Sequence, residues 1–96
     1  MEEIDVRKLI DVCRKHKVSK VSLFGSFARG DAGPDSDIDL LITFSDRVGL
    51  LTLVKLEREL SEALHRIVDL LTEQSISPYL RDQILSEQKV IYEEAG

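Results

Sequence analysis

Three aspartates and a Gly-Ser pair are the residues in this chain whose types and spacing could do chemistry. Asp37 and Asp39 stand two apart at the start of an apolar run. On a strand, residues two apart point to one face, so these carboxylates can share divalent cations while Ile38 turns into the core. Two carboxylates that close resist joint ionisation unless a cation sits with them. Alone, Asp-x-Asp reads as a polar entry to a strand. Asp69 changes the balance, because it interrupts the apolar run Ile67, Val68, Leu70 and Leu71. A carboxylate inside a buried strand is costly unless it faces solvent at an edge or has a metal or cationic partner. If its strand lies beside that of Asp37 and Asp39, three carboxylates converge on a hard-oxygen site suited to magnesium.

Gly25 and Ser26 supply the complementary half. Glycine lets the backbone approach a ligand, and amides that follow a strand can receive phosphate oxygens. The Ser26 hydroxyl adds a donor. Arg29 is open between a phosphate contact and a structural ion pair. Asp31 and Asp35 read as loop carboxylates, His65 as a surface or helix-end residue, and Tyr79 and Tyr92 as packing or partner contacts. Cys13 lies on a helical apolar stripe and reads as a small core residue rather than a reactive thiol.

The elements that must position these residues follow from periodicity. Residues 5–16 predict a helix capped by Asp5, with Val6, Leu9, Ile10 and Cys13 on its apolar side. Val18–Phe24 predicts a strand ending at Gly25-Ser26. Residues 27–36 predict a short turn-rich connection, with Gly30, Gly33 and Pro34 as breakers. Ile38–Phe44 predicts a second strand, and the succession Leu40, Leu41, Ile42 implies burial on both of its faces. A polar connection at 45–49 leads to a helix over 50–64. Leu53, Leu56, Leu60, Ala63 and Leu64 form one face, and Leu50, Leu51 and Val54 widen it at its start. A third strand is predicted over 67–71, carrying Asp69. Ser77 caps a last helix with Pro78 at its first position and Tyr79, Leu80, Ile84 and Leu85 on its apolar side. Residues 90–92 predict a short final strand. The first connection is too short for a crossover helix, so the first two strands should be antiparallel, or the sheet mixed. The expected fold class is α/β (α+β), a small mixed β-sheet with helices packed on it.

Bulk properties narrow the function. Ninety-six residues fit one domain, 1–96, and the net charge of −5 disfavours direct nucleic-acid binding, which calls for a basic face. One cysteine permits no internal disulfide, no run reaches membrane-spanning length, and no signal peptide opens the chain, so a cytoplasmic location is expected.

The combination of strand, Gly-Ser, ten residues, Asp-x-Asp and a later in-strand aspartate is specific. Gly25-Ser26-Phe27-Ala28-Arg29-Gly30 and Ser36-Asp37-Ile38-Asp39-Leu40 resemble the signature of the nucleotidyltransferase superfamily typified by DNA polymerase beta. The likeness is greatest to its minimal prokaryotic branch, whose members are often antitoxins paired with a HEPN-domain toxin. Asp69 falls where the third carboxylate of that branch is expected, and Ser77-Pro78-Tyr79-Leu80 is similar to segments seen in it. The resemblance covers essentially the whole chain.

It implies a nucleotidyltransferase-like fold and transfer of AMP from ATP to a tyrosine of the toxin. It further implies two magnesium ions, both held by Asp37 and Asp39, with Asp69 on the second and as candidate base. Gly25 and Ser26 would hold the β- and γ-phosphates. The extra helical domains of larger superfamily members are not expected, so a partner or second copy supplies the acceptor. A phosphatase of the haloacid-dehalogenase type also uses Asp-x-Asp, but there the pair follows an apolar strand, whereas here it precedes one. The remaining rival is a non-catalytic antitoxin, or a nucleotide-binding regulator, that acts by forming a complex.

Overall fold

The computed structural model describes residues 4–94. Nine elements follow in order: α1 (Val6–Lys15), β1 (Val18–Phe24), α2 (Gly25–Arg29), β2 (Ile38–Phe44), α3 (Leu50–Leu64), β3 (Val68–Thr72), a 3-10 turn (Glu73–Ser75), α4 (Pro78–Glu87) and β4 (Lys89–Glu93). The strands form one sheet in the order β3-β2-β1-β4. β1 runs antiparallel to both β2 and β4, whereas β2 and β3 are parallel and joined through α3, so the sheet is mixed as expected.

β2 occupies the interior of the sheet, and its register explains the expected burial on both faces. Ile38, Leu40 and Ile42 project to the face covered by α1 and α3. There they meet Val21 of β1, Val68 and Leu70 of β3, Leu9, Val12 and Cys13 of α1, and Leu56 and Leu60 of α3. Leu41 points the other way and is buried there, opposite buried Ser22. Burying a large aliphatic side chain contributes about 1.5–3 kcal/mol, so this layer is the main source of stability. Cys13 is fully buried within it, and desolvation pushes its thiol up to about 12, which keeps it protonated and inert. His16 Nε2, at the C-terminal end of α1, lies 2.9 Å from Glu59 Oε2 and ties that helix to α3.

Several element ends follow local rules. The Asp5 carboxylate accepts from the Lys8 amide, and Ser77 Oγ accepts from the Tyr79 amide with Pro78 at the first helical position. His65 closes α3 in the left-handed conformation, with φ of 53°.

The structure corrects five expectations. First, the 27–36 connection is not all turn, because α2 occupies Gly25–Arg29. Five residues hold little more than one turn, too short for a helical period to show in sequence. Second, Leu50, Leu51 and Val54 do not widen the buried face of α3; they are exposed, by 75, 77 and 55%. Of the first turn, Leu53 is the residue that packs against the core. Third, no residue of α4 is buried, and Tyr79 and Leu80 face solvent. Fourth, Val12, not Val6, completes the buried side of α1. Fifth, β3 runs Val68–Thr72 rather than 67–71; it is an edge strand with Asp69 exposed on it. Of the alternatives for a carboxylate in an apolar run, the edge position is the one observed. Among the described residues, no helix is long and apolar enough to cross a membrane.

Candidate active site

The site is assembled at the N-terminal end of β2. Asp39 is the second residue of that strand and pairs with Phe24 of β1 on one side and Asp69 of β3 on the other. Paired residues on adjacent strands project to the same face. Asp39 and Asp69 are therefore neighbours on the face opposite the α1–α3 layer. Asp37 is two residues earlier, just outside the strand, where the Ile38 amide donates to the Ile67 carbonyl at 2.9 Å.

Electrostatics report the same convergence. The Asp39 carboxyl is raised above its ordinary range, first by desolvation, then by the negative charges of Asp69 and Asp37; Arg29 pulls it back in part. Asp39 is thus a part-buried acid with two acids beside it, a combination that favours a bound cation.

The Gly-Ser turn is held against this acid. Phe24 ends β1 in extended conformation, and Gly25 then turns the chain into α2 with φ of +72°. That region is strained for any residue with a Cβ. A Cβ at Gly25 would also collide with Asp39 Oδ2 and lie 3.2 Å from its Cγ. Conformation favours glycine here, and any Cβ would also have to displace the Asp39 carboxylate. Ser26 follows in the first turn of α2, and no side chain caps the amides at that end. The helix ends at Gly30, left-handed with φ of +80°, whose amide donates to the Ser26 carbonyl.

Arg29, left open by the sequence, makes ion pairs: Nε donates to Asp31 Oδ2 at 3.3 Å, and Nη1 lies 3.7 Å from Glu87 Oε2 of α4. Its charge is nevertheless felt at Asp39. The structure therefore brings Gly25 against Asp39 and Asp39 beside Asp69, with Asp37 two residues away and its charge acting on Asp39, Ser26 adjacent in chain and Arg29 at the margin.

Sequence reading missed Arg66. From the α3–β3 connection, its Nη1 donates to the carbonyls of Gly33, Pro34 and Ser36 at 3.2, 3.0 and 2.8 Å. Its guanidinium carbon lies 5.3 Å from the centroid of the Phe27 ring. The available signal was a basic residue three positions before the in-strand aspartate.

The donor set tests whether magnesium suits the site. All three candidate ligands are carboxylates, the hard oxygen type that magnesium takes. Among the described residues, no group of three or more His, Cys, Asp or Glu is arranged so that it could by itself hold a metal ion. Magnesium does not demand such a group, since it keeps waters and takes oxygens from substrate phosphates. An open carboxylate set beside a glycine turn fits that behaviour.

A Gly-Ser turn thus abuts an Asp-x-Asp strand in a mixed sheet, and a third aspartate stands on the parallel neighbour. Comparison with known proteins gives the particular family. The family described as "Polymerase beta, Nucleotidyltransferase" matches residues 7–95, and the chain belongs to it. The protein adenylyltransferase MntA of Thermococcus cleftensis is 36% identical over 75 residues, 78% of this chain and 74% of the relative. The protein of the same name from Shewanella oneidensis is 29% identical over 94 residues, 96% of this chain and 68% of the relative. A crystal structure of a toxin–antitoxin with AMP-PNP superposes with a TM-score of 0.82 at 28% identity, covering 94% of this chain and 74% of that one. A structure of the tri-AMPylated Shewanella oneidensis HEPN toxin in complex with MNT antitoxin gives a TM-score of 0.72 at 27% identity, covering 92% of this chain and 69% of that one.

Proposed function

We propose that this chain is an antitoxin that transfers AMP from ATP to a tyrosine of a partner HEPN-domain toxin and so silences it. The observation that carries the proposal is the pairing of Asp39 with Asp69, with Gly25 packed against the Asp39 carboxylate. The names and complexes of the relatives support AMP transfer and a HEPN toxin as the partner.

In this reading Asp37, Asp39 and Asp69 would hold two magnesium ions. Bound magnesium would offset phosphate charge and make the acceptor hydroxyl more acidic. Asp69, exposed at the sheet edge, stands where an acceptor can arrive from solvent and takes the proton of the tyrosine hydroxyl. The tyrosine oxygen bonds to the α-phosphorus, the bond from that phosphorus to the β-bridging oxygen breaks, and pyrophosphate leaves. Gly25 and Ser26 hold the β- and γ-phosphates, the glycine by allowing close approach and the serine by its hydroxyl and amide. Arg29, already paired with Asp31 and Glu87, steadies α2 and tempers the negative charge at Asp39. The partner supplies the acceptor.

The test uses the purified chain, its toxin, magnesium and ATP labelled on the α-phosphate. The toxin should gain label on tyrosine, and an Asp37→Ala/Asp39→Ala double variant should neither label nor neutralise it. No label with the parent, together with full neutralisation by the double variant, would replace this reading with that of a binding antitoxin.

A further inference from the structure

Asp39 and Asp37 are held in different ways. Asp39 sits in a ladder with strands on both sides. Asp37 precedes the ladder, and the chain before it, residues 30–37, has no helix or strand. Something else must fix where the Asp37 carboxylate stands. The Ile38 amide bond to Ile67 anchors the residue after it. The residue before it, Ser36, is gripped at its carbonyl by Arg66.

We propose that Arg66 is the positioning residue for Asp37, locking the 33–36 loop so that this carboxylate stands beside Asp39. The assignment rests on the transferase reading above and deepens it.

Three carbonyl oxygens, of Gly33, Pro34 and Ser36, converge on one nitrogen of Arg66. Aligned carbonyls repel one another, and a cation at their focus closes the loop around itself. The loop is also closed from within: the Ser36 amide donates to the Gly33 carbonyl at 3.2 Å, and the Gly33 amide donates to Ser36 Oγ at 2.9 Å. Arg66 in turn is placed by rigid neighbours. Its amide donates to the Ser61 carbonyl of α3 at 3.3 Å, and the Val68 amide donates to Ser61 Oγ at 3.1 Å. Its guanidinium lies over Phe27, one residue beyond Ser26.

One residue thereby ties the segments of the site together: its guanidinium meets the Gly-Ser helix through Phe27 and the approach to Asp37 through the loop carbonyls, and its backbone leads into β3. Arginine suits this better than lysine, because its planar guanidinium stacks on a ring and still presents donors at its edge.

The experiment uses the full chain as Arg66→Ala and Arg66→Lys, with Arg58→Ala on the exposed side of α3 as a control for loss of one positive charge. Thermal unfolding checks the fold. Free Mn2+ is measured by electron spin resonance during titration in the presence of AMP-PNP, and AMP transfer gives kcat and KM for ATP. Folded Arg66→Ala should raise the half-saturating Mn2+ concentration about tenfold and lower kcat about 10–100-fold, with KM for ATP moved less than about threefold. Arg66→Lys should fall between it and the parent, and Arg58→Ala should match the parent. Parent-like Mn2+ binding in folded Arg66→Ala would overturn the proposal, as would a change in KM for ATP alone. Should the alanine variant not fold, Arg66→Lys decides: about a threefold or larger rise in half-saturating Mn2+ supports the role, and parent-like binding overturns it. A parent that binds Mn2+ yet transfers no AMP would sink the transferase reading, while the Mn2+ arm still decides Arg66.

Discussion

The two faces of the sheet differ: the larger buried core lies on one, and the acids of the candidate site lie on the other, beside buried Leu41. On one, Ile38, Leu40 and Ile42 of β2 are almost wholly buried under α1 and α3. On the other, Asp39 projects from between Ile38 and Leu40 and stands beside an exposed Asp69. A single strand serves both faces because its side chains alternate. Ile38 and Leu40 pin β2 in register, and that register sets Asp39 against Asp69. A one-residue slip would put the acids in the core and the aliphatics in water, so the core fixes the site's geometry without touching it.

The strongest way to break the comparison is to damage the buried face alone. Leu56→Ala removes a fully buried side chain of α3 and leaves a cavity. Such truncations cost about 2–5 kcal/mol, a large share of what a chain this short has to spare. Denaturant or thermal unfolding should show a loss of that size. Asp69→Ala on the open face should unfold within about 0.5 kcal/mol of the parent, since it removes an exposed side chain. Equal losses from both substitutions would show that the faces are not separate.

Gly25→Ala sits where the two regimes meet, and its effect should be smaller on stability and large on transfer. Alanine would have to adopt φ near +72° and push aside the Asp39 carboxylate. The conformational part costs about 1–2 kcal/mol. The displacement disturbs the placement of the Asp39 carboxylate, so AMP transfer should fall far more than the melting temperature does. A variant that keeps parental transfer would mean that the close approach of Gly25 to Asp39 is not used.

What the sequence made legible follows the same division. Strands β1 and β2 and the helix α3 were readable to the residue, because each is long enough for its period to show and ends at a glycine, an acid or a polar loop. The pairing of Asp39 with Asp69 was inferable only on the condition that β3 lay beside β2, since sheet order is a tertiary property. α2 was invisible because one turn carries no period. The exposure of Leu50, Leu51 and Leu80 is not legible because an apolar residue in a helical pattern does not say whether another element covers it. Arg66 was passed over for a related reason: its acceptors are backbone carbonyls 30 to 33 residues earlier, and a carbonyl has no letter in the sequence.

The smallest expected effect sharpens the contrast by reversing the usual sign of a substitution. Burial and the charges of Asp69 and Asp37 raise the folded-state pKa of Asp39. A carboxylate raised on folding favours the folded state fully only below its unfolded pKa, near 4, and that contribution is lost as pH rises through the folded value. At neutral pH, without metal, ionised Asp39 is therefore a burden on the fold. Asp39→Asn should unfold at a higher temperature than the parent at pH 7 in the presence of a chelator. The gain should shrink as pH falls and vanish below about 4, where the parent carboxyl is protonated as well. Thermal unfolding of both proteins across pH 3–8 checks it. A gain that persisted at the acid end would trace to packing rather than charge, and a loss at pH 7 would mean that Asp39 is not strained by its two neighbours. On the buried face no polar substitution should behave this way. Leu40→Asn, beside Asp39 in the same strand, should destabilise at every pH, because it places an amide in the apolar core between the cross-strand neighbours Leu23 and Leu70.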